Sequence, residues 1–230
     1  LIMDTGSTDN TILKAKQDLG FQYFTGAKRM HCVKISPWRF DDARNFALNY
    51  LPDDVDICIA LDMDEVLVPG WRELIEDNWE EGLQRLRYNY IWNWNDDGSP
   101  GLTYYGDKLH CRHGFRWVNP VHETLSYDLR LGEEKQKFIT ETLIEHHPDN
   151  SKSRSQYFDL LELSVKENPH NDRNAHYYAR ELMFAGRYEE AIKEFMRHTS
   201  LPTAKWLPEV AASIRYIGDC YWALGATEIA

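Results

Sequence analysis

Apolar positions fall into two regimes along the 230 residues. In the first, short β-like runs alternate with helical stretches. Leu1-Ile2-Met3 is an apolar run that stops at the turn sequence Asp4-Thr5-Gly6-Ser7. Ile12, Ala15 and Leu19 then recur at helical spacing over 9–19, with Ser7 or Asp9 as the cap and Gly20 as the stop. Residues 29–35 read as a strand, and 37–50 as a helix with Phe40, Ala43, Ala47 and Tyr50 on one stripe. The run 56–61 is almost unbroken in apolar character, the pattern of a strand buried on both faces of a parallel sheet. It stops at Asp62-Met63-Asp64-Glu65. Residues 95–101 are turn-rich and predict a hairpin or a mobile loop. Alternation of this kind predicts an α/β layer fold with a mostly parallel, Rossmann-like sheet over 1–150. From 151 to 230 only helical periodicity remains, so a second, all-α domain is expected there.

Charge and cysteine content narrow the class. The 37 acidic residues outnumber 26 basic ones, giving a net charge of −11. That balance argues against a surface that grips nucleic acid or anionic lipid. No apolar run approaches the ~20 residues of a membrane span, and no signal peptide is visible. The four cysteines (Cys32, Cys58, Cys111, Cys220) are scattered without a C-x-x-C, so they indicate neither a disulfide framework nor a cysteine zinc site. A cytoplasmic setting is expected. The abrupt apolar start suggests that a preceding strand lies outside this sequence.

Ligands of open α/β sheets bind outside the carboxyl ends of the strands, and two predicted strands here end in acid. If both run parallel in one sheet, Asp4 meets Asp62 and Asp64 at one edge. In an extended segment Asp62 and Asp64 share a side, and two close carboxylates need a proton or a cation between them. With Glu65 they make a hard oxygen set suited to Mg²⁺ or Mn²⁺, which commonly complete their shells with phosphate oxygens. Asp4-Thr5-Gly6-Ser7 also resembles the D-T-G-S signature of aspartic proteases, but that chemistry needs a second copy or a symmetric dimer, and the sequence has one.

The ordered set is more specific. Asp4 to Thr11 (D-T-G-S-T-D-N-T), the helix containing Phe40-Asp41-Asp42-Ala43-Arg44-Asn45-Phe46-Ala47, Leu61 to Glu65 (L-D-M-D-E) and Trp117 to Glu123 (W-V-N-P-V-H-E) together resemble family 2 glycosyltransferases of GT-A type. Ala179, Leu182, Gly186, Tyr188, Ala191 and Phe195, followed by Gly218, Tyr221, Leu224 and Gly225, resemble tetratricopeptide hairpins, with a longer loop through 200–202. The resemblance implies a metal-dependent, inverting transfer of a sugar from a nucleotide diphosphate, with UDP the expected carrier, to a peptide, glycan or lipid-linked acceptor. It places Asp4, Gly6, Ser7, Asp9, Arg44 and Asp62 at the nucleotide sugar, and Asp62 and Asp64 on Mn²⁺ or Mg²⁺. His146 of the His146-His147 pair becomes a late metal ligand, Glu123 the base and His122 its orienting partner. Arg44 would reach the diphosphate or pair with Asp41 or Glu65. Of Trp92, Trp94, Tyr104, Tyr105 and Trp117, one or two are expected beside the acceptor. The helical tail would bind acceptor, a protein partner or a second copy. The rival expectation is a tetratricopeptide adaptor with a non-catalytic transferase-like domain, and the remote one an aspartic protease.

Overall fold

The computed structural model describes residues 1–23, 28–148, 157–226 and 228. The chain is a mixed α/β protein that divides into two compact units. One contains residues 1–118 and 123–148, the other 119–122 and the helices from 157 onward. The expected boundary at 150 lies outside the described residues.

The first unit opens with β1 (Ile2–Asp4), α1 (Thr11–Gln17), β2 (Gln22–Tyr23) and β3 (Arg29–Cys32). The strands form a small parallel sheet in the order β1-β3-β2, with Met3 opposite His31 and Asp4 opposite Cys32. Asn10, rather than Ser7 or Asp9, is the N-cap residue of α1. Asp9 instead accepts the Thr11 N–H at 2.9 Å in a tight local turn. Gly20 takes φ 71°, the left-handed conformation expected of the stop.

Next come α2 (Phe40–Asn49), β4 (Ile57–Ile59), β5 (Glu65–Leu67), α3 (Trp71–Asn78), β6 (Arg85–Ile91), β7 (Thr103–Cys111), β8 (Phe115–Val118), β9 (Thr124–Tyr127) and β10 (Gln136–His146). Five of these strands form a second sheet in the order β4-β7-β6-β10-β5. Only β6 and β10 run parallel; the other three pairings are antiparallel. The expectation of a mostly parallel sheet is therefore corrected, and so is the pairing of β1 and β4 in one sheet. The reason is a hairpin farther along the chain. Residues 92–102 close a hairpin, with Asn95 donating to the Ser99 carbonyl and Gly98 at φ 80°, and a hairpin can only return antiparallel. Strand β4 then adds to the far side of β7, Cys58 opposite His110.

The core under this sheet gathers Leu86, Tyr88, Leu109, Leu143 and Ile144 with Ile75 of α3. Gly106 interrupts β7 because a Cβ there would stand 2.5 Å from the buried Tyr88 ring. Strands β8 and β9 form a separate ribbon, Trp117 opposite Leu125. Helix α2 is fastened to it by Asn45, whose amide donates to the Trp117 carbonyl at 2.8 Å and accepts the Trp117 N–H at 2.9 Å.

The second unit consists of α4 (Tyr157–Glu167), α5 (Asp172–Phe184), α6 (Tyr188–Ser200) and α7 (Leu207–Ala223). Ala179, Leu182, Ala191, Ile192, Phe195 and Cys220 form its core. Gly186 ends the α5–α6 turn at φ 72°, whereas Gly218 lies inside α7. Among the described residues no helix is long and apolar enough to cross a membrane.

Candidate functional site

The chain leaves β4 at Ile59 and turns at Asp62-Met63-Asp64-Glu65, where the Glu65 N–H donates to the Asp62 carbonyl. This turn replaces the extended conformation expected for Asp62 and Asp64 and sends their side chains to different partners. Asp62 meets Arg44 Nη2 and Lys108 Nζ, each at 2.6 Å. Burial pushes its carboxyl up, but Lys108 and Arg44 together outweigh that and hold it below the ordinary carboxylate range. Glu65, counted above as a third oxygen ligand, is turned inward. Its oxygens take the Tyr90 hydroxyl at 2.7 Å, Lys108 Nζ at 2.5 Å and the Asp62 N–H at 3.0 Å. It braces the turn.

Asp64 is aligned with His146 by strand register. Strand β5 begins at Glu65 and pairs antiparallel with the end of β10, Glu65 opposite His146, while the His147 N–H donates to the Asp64 carbonyl. His146 Nδ1 lies 2.8 Å from the Trp92 carbonyl. A carbonyl only accepts, so Nδ1 carries the hydrogen, and in that tautomer the lone pair sits on Nε2. That Nε2 lies 3.7 Å from Asp64 Oδ2. The adjacent His147 points elsewhere, stacking on Trp94 with Nε2 3.6 Å from Glu145. A carboxylate and an imidazole whose far nitrogen is fixed by a hydrogen bond are a donor pair that fits a divalent ion. Trp92 packs on the His146 ring at 4.6 Å, and Tyr104 lies against Trp92 and Tyr90. Trp92, with exposed surface, thus flanks this pair and Tyr104 lies beside Trp92, while Trp117 is buried.

Arg44 is the hub of the remaining contacts. From α2 it binds Asp62 with Nη2 and Glu123 Oε1 with Nε, both at 2.6 Å, and lies 4.7 Å over the Trp117 ring. It pairs with neither Asp41 nor Glu65; Asp41 is taken by Arg39. Burial pushes the guanidinium pKa down, and Asp62 and Glu123 more than reverse this. His122 and Glu123 fall in different units. Glu123 faces Arg44 in the first unit. His122, at φ 50°, belongs to the second and stacks on Tyr177 at 4.2 Å.

Asp4 stands at the end of β1 in the other sheet. Its buried carboxylate accepts the Gly6 N–H at 3.1 Å and the Ser7 N–H at 3.3 Å. Gly6, Ser7 and Asp9 form the exposed loop that follows. The structure therefore brings Asp62, Arg44 and Glu123 into one network and Asp64 beside His146. It keeps the β1 loop in a separate sheet.

Lys108, Tyr90 and Asn45 were not anticipated. The signal for Lys108 was a lysine inside the strand that runs from 103 to 111, where burying an ammonium requires a carboxylate partner. No protein-family model matches this chain, and no curated protein sequence matches it.

Proposed function

We propose that the first unit is a metal-dependent glycosyltransferase domain of GT-A type that uses a UDP-sugar, and that the helical unit is tetratricopeptide-like. The observation that carries this reading is the Asp64–His146 pair, with Nδ1 committed to the Trp92 carbonyl and Nε2 turned toward the carboxylate. Asp64 and His146 would hold Mn²⁺ or Mg²⁺, which when bound neutralises a departing diphosphate. Mn²⁺ is preferred because one donor is an imidazole. Asp62, fixed from both sides by Arg44 and Lys108, orients the nucleotide. Glu123 accepts the acceptor's proton as its oxygen attacks the anomeric carbon, and Arg44 keeps that carboxylate aimed. Trp92 and Tyr104 offer aromatic faces to sugar C–H groups.

Calorimetric titration with UDP tests the reading. Saturable binding is expected with Mn²⁺, none without it, and none for Asp64→Asn or His146→Ala. Mn²⁺-dependent binding that survives both substitutions removes the pair from its role. Glu123→Gln is expected to lower turnover about 10²–10⁴-fold while leaving UDP affinity within a factor of about 3.

A second reading is a domain that no longer transfers sugar and serves as an adaptor. It is favoured by the ion pairing of Asp62 and Glu123 through one arginine, which makes them parts of a closed structural network. UDP binding without hydrolysis or transfer of any UDP-sugar would select it.

A further inference from the structure

The helical unit buries a polar cluster that the transfer reaction does not use. His176 of α5, His198 of α6, and Glu209 and Ser213 of α7 are each 7% exposed or less. Interring two imidazoles and a carboxylate is costly unless they are satisfied, and the satisfaction here is incomplete. Ser213 Oγ lies 2.7 Å from His176 Nδ1 and 2.9 Å from His198 Nδ1. His198 Nε2 is sealed from solvent with no hydrogen-bond partner, and it lies 3.6 Å from Glu209 Oε1. One ligand atom from each of His176, His198 and Glu209 falls within 4.8 Å of the others.

We propose that His176, His198 and Glu209 form a Zn²⁺ site that ties α5, α6 and α7 together. A hydroxyl oxygen has two lone pairs. Ser213 Oγ can accept from both Nδ1–H groups and turn its own hydrogen to a helix carbonyl one turn back. Both Nε2 atoms then carry lone pairs, and one serine fixes the ring orientation of two ligands, the outer-shell arrangement that metal-binding histidines use. Two imidazoles and a carboxylate, with water as fourth ligand, are a recurring zinc donor set. Bonds of about 2.0–2.1 Å in a tetrahedron set donor atoms roughly 3.4 Å apart, close to the 3.6 Å between His198 and Glu209. The charges of Arg173 and Arg180 are felt at His176. They oppose any weakly held hard cation and leave the metals that bond imidazole strongly.

The site is separable from the Asp64–His146 pair, so the test uses the full chain carrying His146→Ala. After chelator stripping and dialysis against Zn²⁺ or Co²⁺, one ion per chain is expected to remain, with a tetrahedral Co²⁺ spectrum. His198→Phe abolishes retention. Ser213→Ala weakens affinity about 10–100-fold. Glu209→Gln, the smaller change if His198→Phe fails to fold, alters the Co²⁺ spectrum. No retained ion, retention unaffected by folded His198→Phe, or an unchanged spectrum in Glu209→Gln overturns the site and leaves a hydrogen-bonded core. The background variant lacks the first pair's imidazole, so failure of UDP binding has no bearing on this result.

Discussion

At Lys108 a single ammonium faces two carboxylates, and the side chain of one of them, Glu65, is 1% exposed. Lys108→Met leaves that carboxylate buried without its cation, which costs about 3 kcal/mol. Urea unfolding is expected to show this loss and to recover much of it in Lys108→Met/Glu65→Gln; equal losses in both would break the argument. His110 is buried and donates from Nδ1 to the Cys111 carbonyl, and burial lowers its pKa to about 4. The unfolded chain binds a proton near pH 6.5 that the folded chain refuses until about pH 4. The unfolded state thus holds more protons in that window, and stability falls as pH drops through it. Between pH 7 and pH 4.5 wild type is expected to lose about 2–3 kcal/mol more than His110→Phe, and parallel pH slopes would discard the assignment. Asp62 works in the same direction, its depressed carboxyl adding stability above the ordinary aspartate range that disappears in acid.

Single strands and helices hold the next set of consequences. Asn45 makes two hydrogen bonds to the backbone of Trp117, acting as a one-residue strand between α2 and β8. Asn45→Ala strands a half-buried N–H and C=O and is expected to cost about 2 kcal/mol, with α2 undocking first in hydrogen exchange; unchanged protection would count against this role. Gly106→Ala forces a methyl into the Tyr88 ring and is expected to cost about 1–3 kcal/mol by thermal melting. The pattern of apolar residues located α1 and α2 because a buried stripe at helical spacing declares itself locally. The same pattern located β4 as a short apolar run, although β4 is an antiparallel edge strand rather than one covered on both faces in a parallel sheet. It could not reveal that β4 joins β7 instead of β1, since that choice depends on a hairpin forty residues downstream. The acidic turn was legible from its place after a strand. The partners of Arg44 were not, because Asp62 and Glu123 reach it from separate elements.

At the scale of the molecule, two units each have a core of their own, one around Leu86, Leu109 and Leu143, the other around Ala179, Phe195 and Cys220. Calorimetry of the full chain is expected to resolve two transitions. Zn²⁺ would raise only the helical one, as ligand linkage requires. A single transition would show that the units unfold as one. His176 and His198, on separate helices, look in sequence like two isolated core histidines, and only the packing of α5, α6 and α7 brings them to a shared Ser213.

The doublet at the end of β10 has a further effect. Strands are unforgiving of slippage, because sliding by one place exchanges every inward group for an outward one. Here the next group along is also an imidazole. Losing one residue just before His146 would deliver His147 to the place opposite Glu65, and β10 already absorbs two irregularities in its alignment with β6. Deleting Glu145 from a His146→Ala protein should therefore return a nitrogen donor to Asp64, a frameshift in space that repairs a lesion in sequence.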